Sequence, residues 1–287
     1  MILSMTGYGK AECTYSQKRI SVEIKTLNSK HLDANVRLPN SYKGKDIGIR
    51  QRLSQALKRG KIDCSFYLET LDSQKDVTLN TDVIKSYYVS LKTIADELGN
   101  KDELMSVVMR LPHVINSEAE DIDEDEWRQI ESVLEQAITA VNEFRKAEGQ
   151  TLKLDFEQRI AIIRKHLVDV EIIEKERIQA IQSNITEQLN NLKLNVDENR
   201  FEQEMIYYLE KLDITEEITR LNIHLDYFLE VMSSTLSQGK KLGFIAQEIG
   251  REINTIGSKA NNAAMQKLVV QMKDELEKIK EQLLNVL

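Results

Sequence analysis

TLKLDFEQRIAIIRKHLVDVEIIEKERIQAIQSNITEQLNNL, residues 151–192, is the stretch that decides the fold. Its apolar residues recur every three or four positions, and over roughly 40 residues this period predicts one amphipathic helix about 60 Å long at 1.5 Å per residue. A helix of that length cannot bury its apolar stripe on a compact domain of its own. We therefore expect it to pack as an antiparallel arm against later helices or across a subunit interface.

A second apolar stripe of the same period lies near the end of the sequence and supplies a packing partner. Coiled-coil packing is the expected role of both stripes. Upstream, the same period predicts helices over about 80–98, 102–110 and 124–146, with Gly149 between the last of these and the long helix. The second stripe comprises Met265, Leu268, Met272, Leu276, Ile279, Leu283 and Val286.

The first 75 residues follow a different pattern. Apolar and polar residues alternate in 20–27, 31–39 and 61–71, which predicts three half-buried strands. Residues 43–58 have helical spacing, with Ile47 among the inward positions. The predicted fold class is therefore α+β. The predicted domains are a basic α+β N-terminal domain at 1–75, an acidic helical middle region at 76–148, and a long-helix arm with a C-terminal helical bundle at 149–287.

The net charge of −8, from 47 acidic and 39 basic residues, argues against a nucleic-acid partner when taken alone, because phosphates are bound chiefly by excess Lys and Arg. The distribution of charge along the sequence, however, allows a nucleic-acid partner. Residues 1–70 carry 13 basic and 6 acidic side chains, a net charge of +7, and residues 240–267 carry five bases and two acids. Residues 71–148 carry 8 bases and 18 acids, with much of the acid in 118–126. The two basic regions could converge on one polyanion.

The sequence also bears on the compartment. Cys13 and Cys64 have no second Cys or His at zinc spacing, so we interpret them as thiols in a reducing environment. The N-terminal stretch lacks the pattern of a signal peptide, and no apolar run approaches the roughly 20 residues that a membrane span needs. These observations predict a cytoplasmic protein without a membrane partner.

Two helical segments place ionisable side chains on one face. In 210–228, Asp213, Glu217, Arg220 and His224 follow steps of four, three and four. Carboxylates and an imidazole on facing helices can hold a divalent cation inside a bundle, although such spacing also suits exposed ion pairs. The segment 240–262 carries a second such face, formed by Glu248, Glu252, Thr255 and Lys259, with Arg251 beside it.

Three glycines interrupt the second segment at sevenfold spacing. Gly243, Gly250 and Gly257 each cost helix stability, roughly 1 kcal/mol in a helix interior. They therefore indicate a side where another helix, an RNA or a metal site approaches the backbone closely. The sequence contains no P-loop, dinucleotide fingerprint, nucleophile elbow or HExxH motif, so nucleotide-dependent enzymes, serine hydrolases and zinc proteases have no support.

Five longer stretches of the sequence stand out. Three lie near its start: SMTGYGKAE (4–12), EIKTLNSKHLDANVRLP (23–39) and RGKIDCSFYLE (59–69). Two lie near its end: RFEQEMIYYLEKLDITEEITRLNIHLDYF (200–228) and GKKLGFIAQEIGREINTIGSKANN (239–262). The first three closely resemble the N-terminal region, and the last two the C-terminal signature, of the YicC family, also called YloC in Gram-positive bacteria. The resemblance spans essentially the whole chain in order and is weakest in 72–130.

The resemblance implies an endoribonuclease that cleaves single-stranded RNA with a divalent metal cation, Mg or Mn, and assembles as a ring-like homo-oligomer, a hexamer. The residue roles are our inference. The predicted metal ligands are Glu217, His224, Glu248 and Glu252. The predicted catalytic groups are His224, Glu248, Glu252 and Arg251. The predicted RNA contacts are Lys30, Arg37, Arg59, Arg220, Lys240, Lys241 and Lys259.

Alternatives remain open. His224 could act as a general base on the ribose 2′-hydroxyl, which would give a cyclic phosphate and no metal requirement. The chain could instead be a non-catalytic RNA-binding clamp or adaptor that promotes RNA decay by another nuclease. It could also be a purely structural coiled-coil assembly, which would show no salt-dependent affinity for single-stranded RNA.

Overall fold

The protein is an α+β chain, as predicted. The computed structural model describes residues 2–71, 79–99, 103–115, 123–192, 198–234 and 237–287. Across these ranges lie one four-stranded sheet near the N-terminus and eight α helices. In the described part of the chain, no helix combines the length and the apolar character that crossing a membrane requires. Residues 118–122 of the acidic run 118–126 lie outside the described residues.

The sheet contains β1 (Gly7–Tyr15), β2 (Lys18–Leu27), β3 (Asp33–Arg37) and β4 (Lys61–Thr70) in the order β1-β2-β4-β3. Neighbouring strands are antiparallel except β3 and β4, which are parallel. A helical crossover connects β3 to β4. Ser16 and Gln17 form the tight β1–β2 turn with positive φ angles. The alternation seen in the sequence places Ile20, Val22 and Ile24 of β2 in the core.

The crossover consists of a 3-10 helix at Asn40–Lys45 followed by α1 (Asp46–Leu57). Ile49, Leu53 and Leu57 are buried as predicted, but the prediction for Ile47 is wrong, because its side chain is 73% exposed. Ile47 lies in the first turn of α1, on the side away from the sheet. One face of the sheet packs against α1 and the first part of α4.

Helices α2 (Thr81–Leu98) and α3 (Leu104–Val108) pack against each other. Asn80 caps α2 by accepting a hydrogen bond from the Val83 amide. Among the described residues, neither helix has a comparable contact with the sheet or with the later helices.

Helix α4 (Glu124–Leu192) is 69 residues long, about 100 Å at 1.5 Å per residue. It corrects the prediction of two helices separated near Gly149, because Gly149 lies inside α4 and the helix continues through it. A Cβ on Gly149 would collide with the carbonyl oxygen of Ile2, so this glycine admits the N-terminal segment to the helix surface. The boundary predicted between 148 and 149 therefore falls within a continuous helix.

The second half of α4 belongs to a helical bundle with α6 (Thr215–Met232), α7 (Gly239–Ala260) and α8 (Ala263–Leu283). Helix α4 contacts α6 and α8, and α7 contacts the same two helices. Arg159 reaches Glu275 of α8 at 3.0 Å, and Arg164 reaches Asp226 of α6 at 2.6 Å. These ion pairs tie α4 to both of its neighbours in the bundle. Helix α5 (Glu198–Leu212) lies beside the far end of α7.

Candidate nucleic-acid interface

A cleft of about 460 Å³ lies where the sheet domain meets the bundle. Four basic side chains line it: Lys30 and Arg59 from the sheet domain, Lys240 from the start of α7, and Lys280 from α8. No acidic side chain is among the described residues that line this space. We call it the basic cleft. The arrangement can attract an anionic ligand, because four like charges face one solvent-filled space.

Main-chain contacts between the two ends of the chain build this cleft. The Met5 amide donates to the Asn285 carbonyl at 2.8 Å, and the Leu287 amide donates to the Leu3 carbonyl at 3.0 Å. The side-chain amide of Asn28 donates to the Leu284 carbonyl at 2.7 Å. These bonds hold the loop after β2 against the end of α8, so that Lys30 faces the start of α7.

The first turn of α7 forms one wall of the basic cleft. Gly239, Lys240 and Gly243 all line it. The Gly239 amide donates to the Leu287 carbonyl at 2.9 Å, so it does not face the ligand. The remaining amides of this first turn carry partial positive charge, which adds to the charge of the Lys240 ammonium. A phosphate is the kind of group that such a wall binds.

Arg145 of α4 lies behind the basic cleft and is 2% exposed. Its guanidinium donates to the carbonyls of Leu57 at 3.1 Å, Met5 at 3.2 Å and Arg59 at 3.5 Å. Met5 and Arg59 line the cleft, so Arg145 fixes part of its floor. Burial lowers the pKa of Arg145 to about 10.

The glycines at 243, 250 and 257 separate into two roles. A Cβ on Gly250 would lie 3.1 Å from Leu276, and one on Gly257 would lie 3.0 Å from Val269, so both admit α8. Gly243 has no neighbour within 4 Å of an added Cβ and lines the basic cleft. Helix packing therefore explains Gly250 and Gly257, whereas Gly243 keeps the wall of the basic cleft free of a side chain.

A second polar cluster lies at the other end of α7. The Lys259 ammonium donates to Glu217 Oε1 of α6 at 2.8 Å and to the Asp213 carbonyl at 2.9 Å. The Glu217 carboxylate is only 7% exposed, and its Oε2 is buried without a hydrogen-bond partner. Such an orphaned oxygen can still accept one more donor or a cation. We call Glu217 and Lys259 the carboxylate pair.

Arg177 of α4 holds the end of α7 in place beside this pair. It forms a buried ion pair with Glu174 at 2.7 Å, and its guanidinium also donates to the carbonyls of Lys259, Ala260 and Leu212. The backbone that carries Lys259 is thus fixed by a charge-assisted network.

Asp213, beside the pair, lies two residues before Thr215, the first residue of α6. Its carboxylate accepts hydrogen bonds from the Thr215 hydroxyl at 2.6 Å and the Thr215 amide at 3.0 Å. These bonds lower the pKa of the Asp213 carboxyl. A local turn onto the first residue of α6 therefore explains the position of Asp213 in the sequence.

The other predicted carboxylates lie along α7. Glu252 is buried at 5% exposure, and Glu248 is half exposed. Helix α6 runs antiparallel to α7: Glu217 lies opposite Lys259, and Tyr227 lies opposite Lys241. From these two pairings, His224 of α6 lies at the level of residues 244–252 of α7. Within the described ranges, however, no group of three or more His, Cys, Asp or Glu side chains could together hold a metal ion.

The remaining predicted residues lie elsewhere. Arg37 faces a shallow depression on the open side of the sheet, with Tyr67. Arg220 pairs with Glu216 at 2.5 Å on the exposed side of α6. Arg251 is 75% exposed and reaches Glu248 at 3.9 Å. Lys241 lies over the Tyr227 ring at 4.9 Å and does not line the basic cleft, although its neighbour Lys240 does.

Sequence reasoning missed two residues of this interface. Lys280 lies in α8, where the sequence predicted only the apolar stripe. Its side chain lines the basic cleft and also pairs with Glu277 at 2.8 Å. Arg145 gave no signal in its local pattern, because a single arginine among helical residues is normally exposed.

Comparisons with known proteins cover both the sheet domain and the bundle. The family model described as "Endoribonuclease YicC-like, N-terminal region" matches residues 2–154, and "Endoribonuclease YicC-like, C-terminal" matches residues 170–287. The chain is 34% identical over 295 residues to a "Probable endoribonuclease YicC" of Clostridioides difficile strain 630. It is 29% identical over 287 residues to a protein of the same name from Haemophilus influenzae KW20 Rd. Both alignments span the whole of each chain.

Proposed function

The chain belongs to the YicC-like endoribonuclease family, and from this premise we propose that it cleaves single-stranded RNA by metal-assisted hydrolysis. The general activity, endoribonuclease, follows from the family. The strand preference and the metal are our own proposals. The strand preference rests on the convergence of Lys30 and Arg59 with Lys240 on one cleft, where the described lining residues include no acidic side chain. The metal rests on the orphaned Oε2 of Glu217.

The basic cleft supplies the RNA contact in this proposal. Its cations are spaced around a solvent-filled space and would bind successive phosphates, while Gly243 leaves room for the backbone of the strand. Single strands suit a cleft between two domains better than duplexes, because an unpaired strand can bend to follow it.

The carboxylates of α6 and α7 supply the candidate metal site. Mg²⁺ is usually held by one or two carboxylates together with waters and substrate phosphates, so a three-residue protein cluster is not required. The orphaned Oε2 of Glu217 and the buried side chain of Glu252 fit this requirement. A divalent cation bound there would neutralise charge on the reacting phosphate and lower the pKa of water.

The protein groups have separate tasks in this scheme. Lys259 holds and orients the Glu217 carboxylate, and the Lys259 side chain is 32% exposed, so it can also contact a phosphate. Arg251 and Glu248 are exposed on the same helix and can reach substrate. His224 is available to move a proton to or from the leaving oxygen. Hydrolysis by water leaves a 5′-phosphate, whereas attack by the 2′-hydroxyl with His224 as base leaves a cyclic phosphate.

Product-end analysis tests the proposal most directly. Purified protein is incubated with a 5′-labelled single-stranded RNA, with and without EDTA, and then with EDTA plus excess Mn²⁺. The proposal predicts a 3′-hydroxyl end on the labelled upstream fragment, which corresponds to a 5′-phosphate on the downstream fragment, together with loss of cleavage in EDTA and recovery with Mn²⁺. Full activity in EDTA with cyclic phosphate ends would contradict the metal and favour the His224 mechanism.

Two substitutions test whether the carboxylates of Glu217 and Glu252 bind the metal. Glu217→Gln and Glu252→Gln should each lower kcat by at least 10-fold, since a neutral amide is a poor ligand for a hard cation. Glu216→Gln, on the exposed side of the same helix, is the matched control and should leave kcat unchanged. Unchanged cleavage in both variants would remove these carboxylates from the reaction or reveal a contaminating nuclease.

We also propose that the protein works as a homo-oligomer, with a hexamer as the expected state. The hairpin of α2 and α3 supports this, because it exposes apolar side chains such as Val89 and Leu98, which are 64% and 77% exposed. Patches of this kind commonly mark protein interfaces. Light scattering after size exclusion tests it: six times the 33.1 kDa chain mass is expected, and a monomer at micromolar concentration contradicts it.

A further inference from the structure

A second cavity lies beside the carboxylate pair and away from the basic cleft. It has a volume of about 630 Å³ and is bounded by the end of α4, by α5 and by the last turn of α7. Its size lies within the range of pockets that bind small organic groups. The scheme above uses only Lys259 among the residues that line it.

The side chains that line this cavity are aromatic, aliphatic and charged. Phe201, Tyr207 and Tyr208 of α5 present aromatic rings, and Ile185 of α4 adds an aliphatic surface. Two cations, Lys211 and Lys259, outnumber the one carboxylate in the lining, that of Glu204. Tyr207 and Tyr208 are 66% and 42% exposed, so their rings are accessible before any ligand binds. We call these residues the aromatic pocket.

We propose that the aromatic pocket binds an unpaired nucleobase of the RNA strand, by stacking on Tyr207 or Tyr208 while Lys211 contacts the adjacent phosphate. This inference rests on the proposed function, since it assumes that single-stranded RNA is the substrate. Aromatic rings beside cations are the combination by which proteins hold single strands without reading sequence. A purely apolar partner would not explain the two lysines, which would have to be desolvated on binding.

Lys259 connects the aromatic pocket to the carboxylate pair. Its side chain lines the pocket and donates to Glu217 at 2.8 Å. A base stacked in the pocket would therefore place its own phosphate, or the next one along the strand, near the orphaned oxygen of Glu217. The pocket would act as a positioning site that fixes which phosphodiester bond meets the carboxylates.

Base stacking can be measured on the full-length protein. The probe is a 12-nucleotide oligouridine RNA with one central 2-aminopurine, studied in EDTA, with gels confirming that the RNA stays intact. Stacking on tyrosine should quench the 2-aminopurine fluorescence. Tyr207→Ala and Tyr208→Ala are compared with Tyr207→Phe and Tyr208→Phe, which keep the ring. Tyr67→Ala, which removes a 51% exposed tyrosine from the sheet, is the matched control.

The expected result is specific to the ring. At least one of the two alanine variants should bind the RNA roughly 5- to 150-fold more weakly and lose the quenching, as expected for loss of one base–aromatic stack. The phenylalanine variants and Tyr67→Ala should bind like the unmodified protein. An RNA with an abasic site at the probe position should bind the unmodified protein more weakly, and the alanine substitution should then add no further loss.

Other outcomes overturn this inference in distinguishable ways. If the unmodified protein binds and cleaves RNA but neither alanine variant changes affinity or quenching, the pocket is not a base site and the proposed function stands. If the alanine variants instead change the oligomeric mass with unaltered binding per chain, the pocket is an interface between copies. If the unmodified protein shows no salt-dependent affinity for the probe, the proposed function itself fails.

Discussion

Arg59 of the sheet domain and Lys240 of the bundle face the same cleft, although one lies before β4 and the other at the start of α7. Their proximity depends on the pairing of residues 3–5 with residues 285–287. A chain with a net charge of −8 thus concentrates positive charge where its two ends meet. The overall acidity would then keep RNA from other surfaces and favour this cleft.

Charge reversal in the basic cleft should weaken RNA binding and its dependence on salt. For Lys30→Glu combined with Lys240→Glu, we expect at least a 10-fold loss of affinity for single-stranded RNA at about 0.1 M salt. The slope of log K against log salt should become shallower by about 0.7 for each phosphate that the variant no longer neutralises. Fluorescence anisotropy over a salt series measures both quantities.

Lys241→Glu is the matched control for Lys240. The two lysines are neighbours with the same charge, but only Lys240 lines the basic cleft. Lys241→Glu should therefore have a much smaller effect than Lys240→Glu alone. Equal effects of the two substitutions would mean that RNA follows the outer face of α7 and not the cleft.

Gly243 offers a test that separates stability from binding. Gly243→Ala should raise the free energy of unfolding by up to about 1 kcal/mol, because alanine favours helix and an added Cβ meets no neighbour. Gly243→Gln should fill part of the cleft and weaken RNA binding several-fold without loss of stability. Thermal unfolding and anisotropy on the same samples measure the two effects.

Gly48 of α1 provides the comparison, since a Cβ there also meets nothing within 4 Å and the residue lies outside the basic cleft. Gly48→Ala and Gly48→Gln should stabilise the helix without any effect on RNA. A Gly243→Gln protein that binds RNA normally would show that the wall formed by the first turn of α7 is not in contact with the strand.

Loss of the Lys259 ammonium should destabilise the fold as well as the site. Lys259→Met leaves Glu217, 7% exposed, without its only ion-pair partner among the described residues. Because Lys259 is itself 32% exposed, we expect a loss of about 2 kcal/mol, less than for a fully buried pair. Urea denaturation measures it.

The exposed pair Arg220–Glu216 on the same helix serves as the control. Its side chains are 53% and 66% exposed, so Arg220→Met should cost well under about 1 kcal/mol. If Lys259→Met were no more costly than Arg220→Met, the Glu217 carboxylate would have to be solvated, and the argument from its orphaned oxygen would fail.

The two cysteines should differ in reactivity. Burial raises the pKa of the Cys64 thiol from 9.0 to about 12, whereas Cys13 is only partly buried. At pH 8 a thiol reagent should modify one cysteine of the native protein and two in denaturant. Two fast-reacting thiols in the native protein would contradict the burial of Cys64.

The same pKa shift predicts a pH dependence of stability. The unfolded Cys64 thiol ionises near pH 9 and the folded one near pH 12, so its stabilising contribution is present below pH 9 and is lost as the pH rises between these values. At pH 11 the loss should be about 2 to 3 kcal/mol. Cys64→Val, which cannot ionise, should lose correspondingly less stability between pH 8 and pH 11 than the unmodified protein.

The fold was largely predictable because its signals are periodic. Alternation in β2 and β4 and the long stripe of α4 each repeat many times, so a single irregular residue does not obscure them. Gly149 shows where this fails. The helix propensity of glycine favours a break, but the role of Gly149 depends on the carbonyl of Ile2, which is far away in the sequence and packs against the helix at this point.

The candidate site was predictable in its residue types but not in its grouping. Sequence could not distinguish Lys240 from Lys241, because one step along a helix turns the side chain by about 100° and only the neighbouring elements decide which direction is occupied. It also joined Glu217 and Arg220 on one face, whereas Glu217 is buried against α7 and Arg220 is exposed. Three-dimensional packing separates them.

Photo-crosslinking tests the central claim, that RNA lies in the basic cleft, most directly. A single-stranded RNA containing 4-thiouridine is bound to the full-length protein, irradiated, and the modified peptides are identified by mass spectrometry. We predict crosslinks both in the loop that carries Lys30 or Arg59 and in the first turns of α7, around Lys240. Crosslinks confined to the open face of the sheet or to α4, with none at either wall of the cleft, would contradict the account.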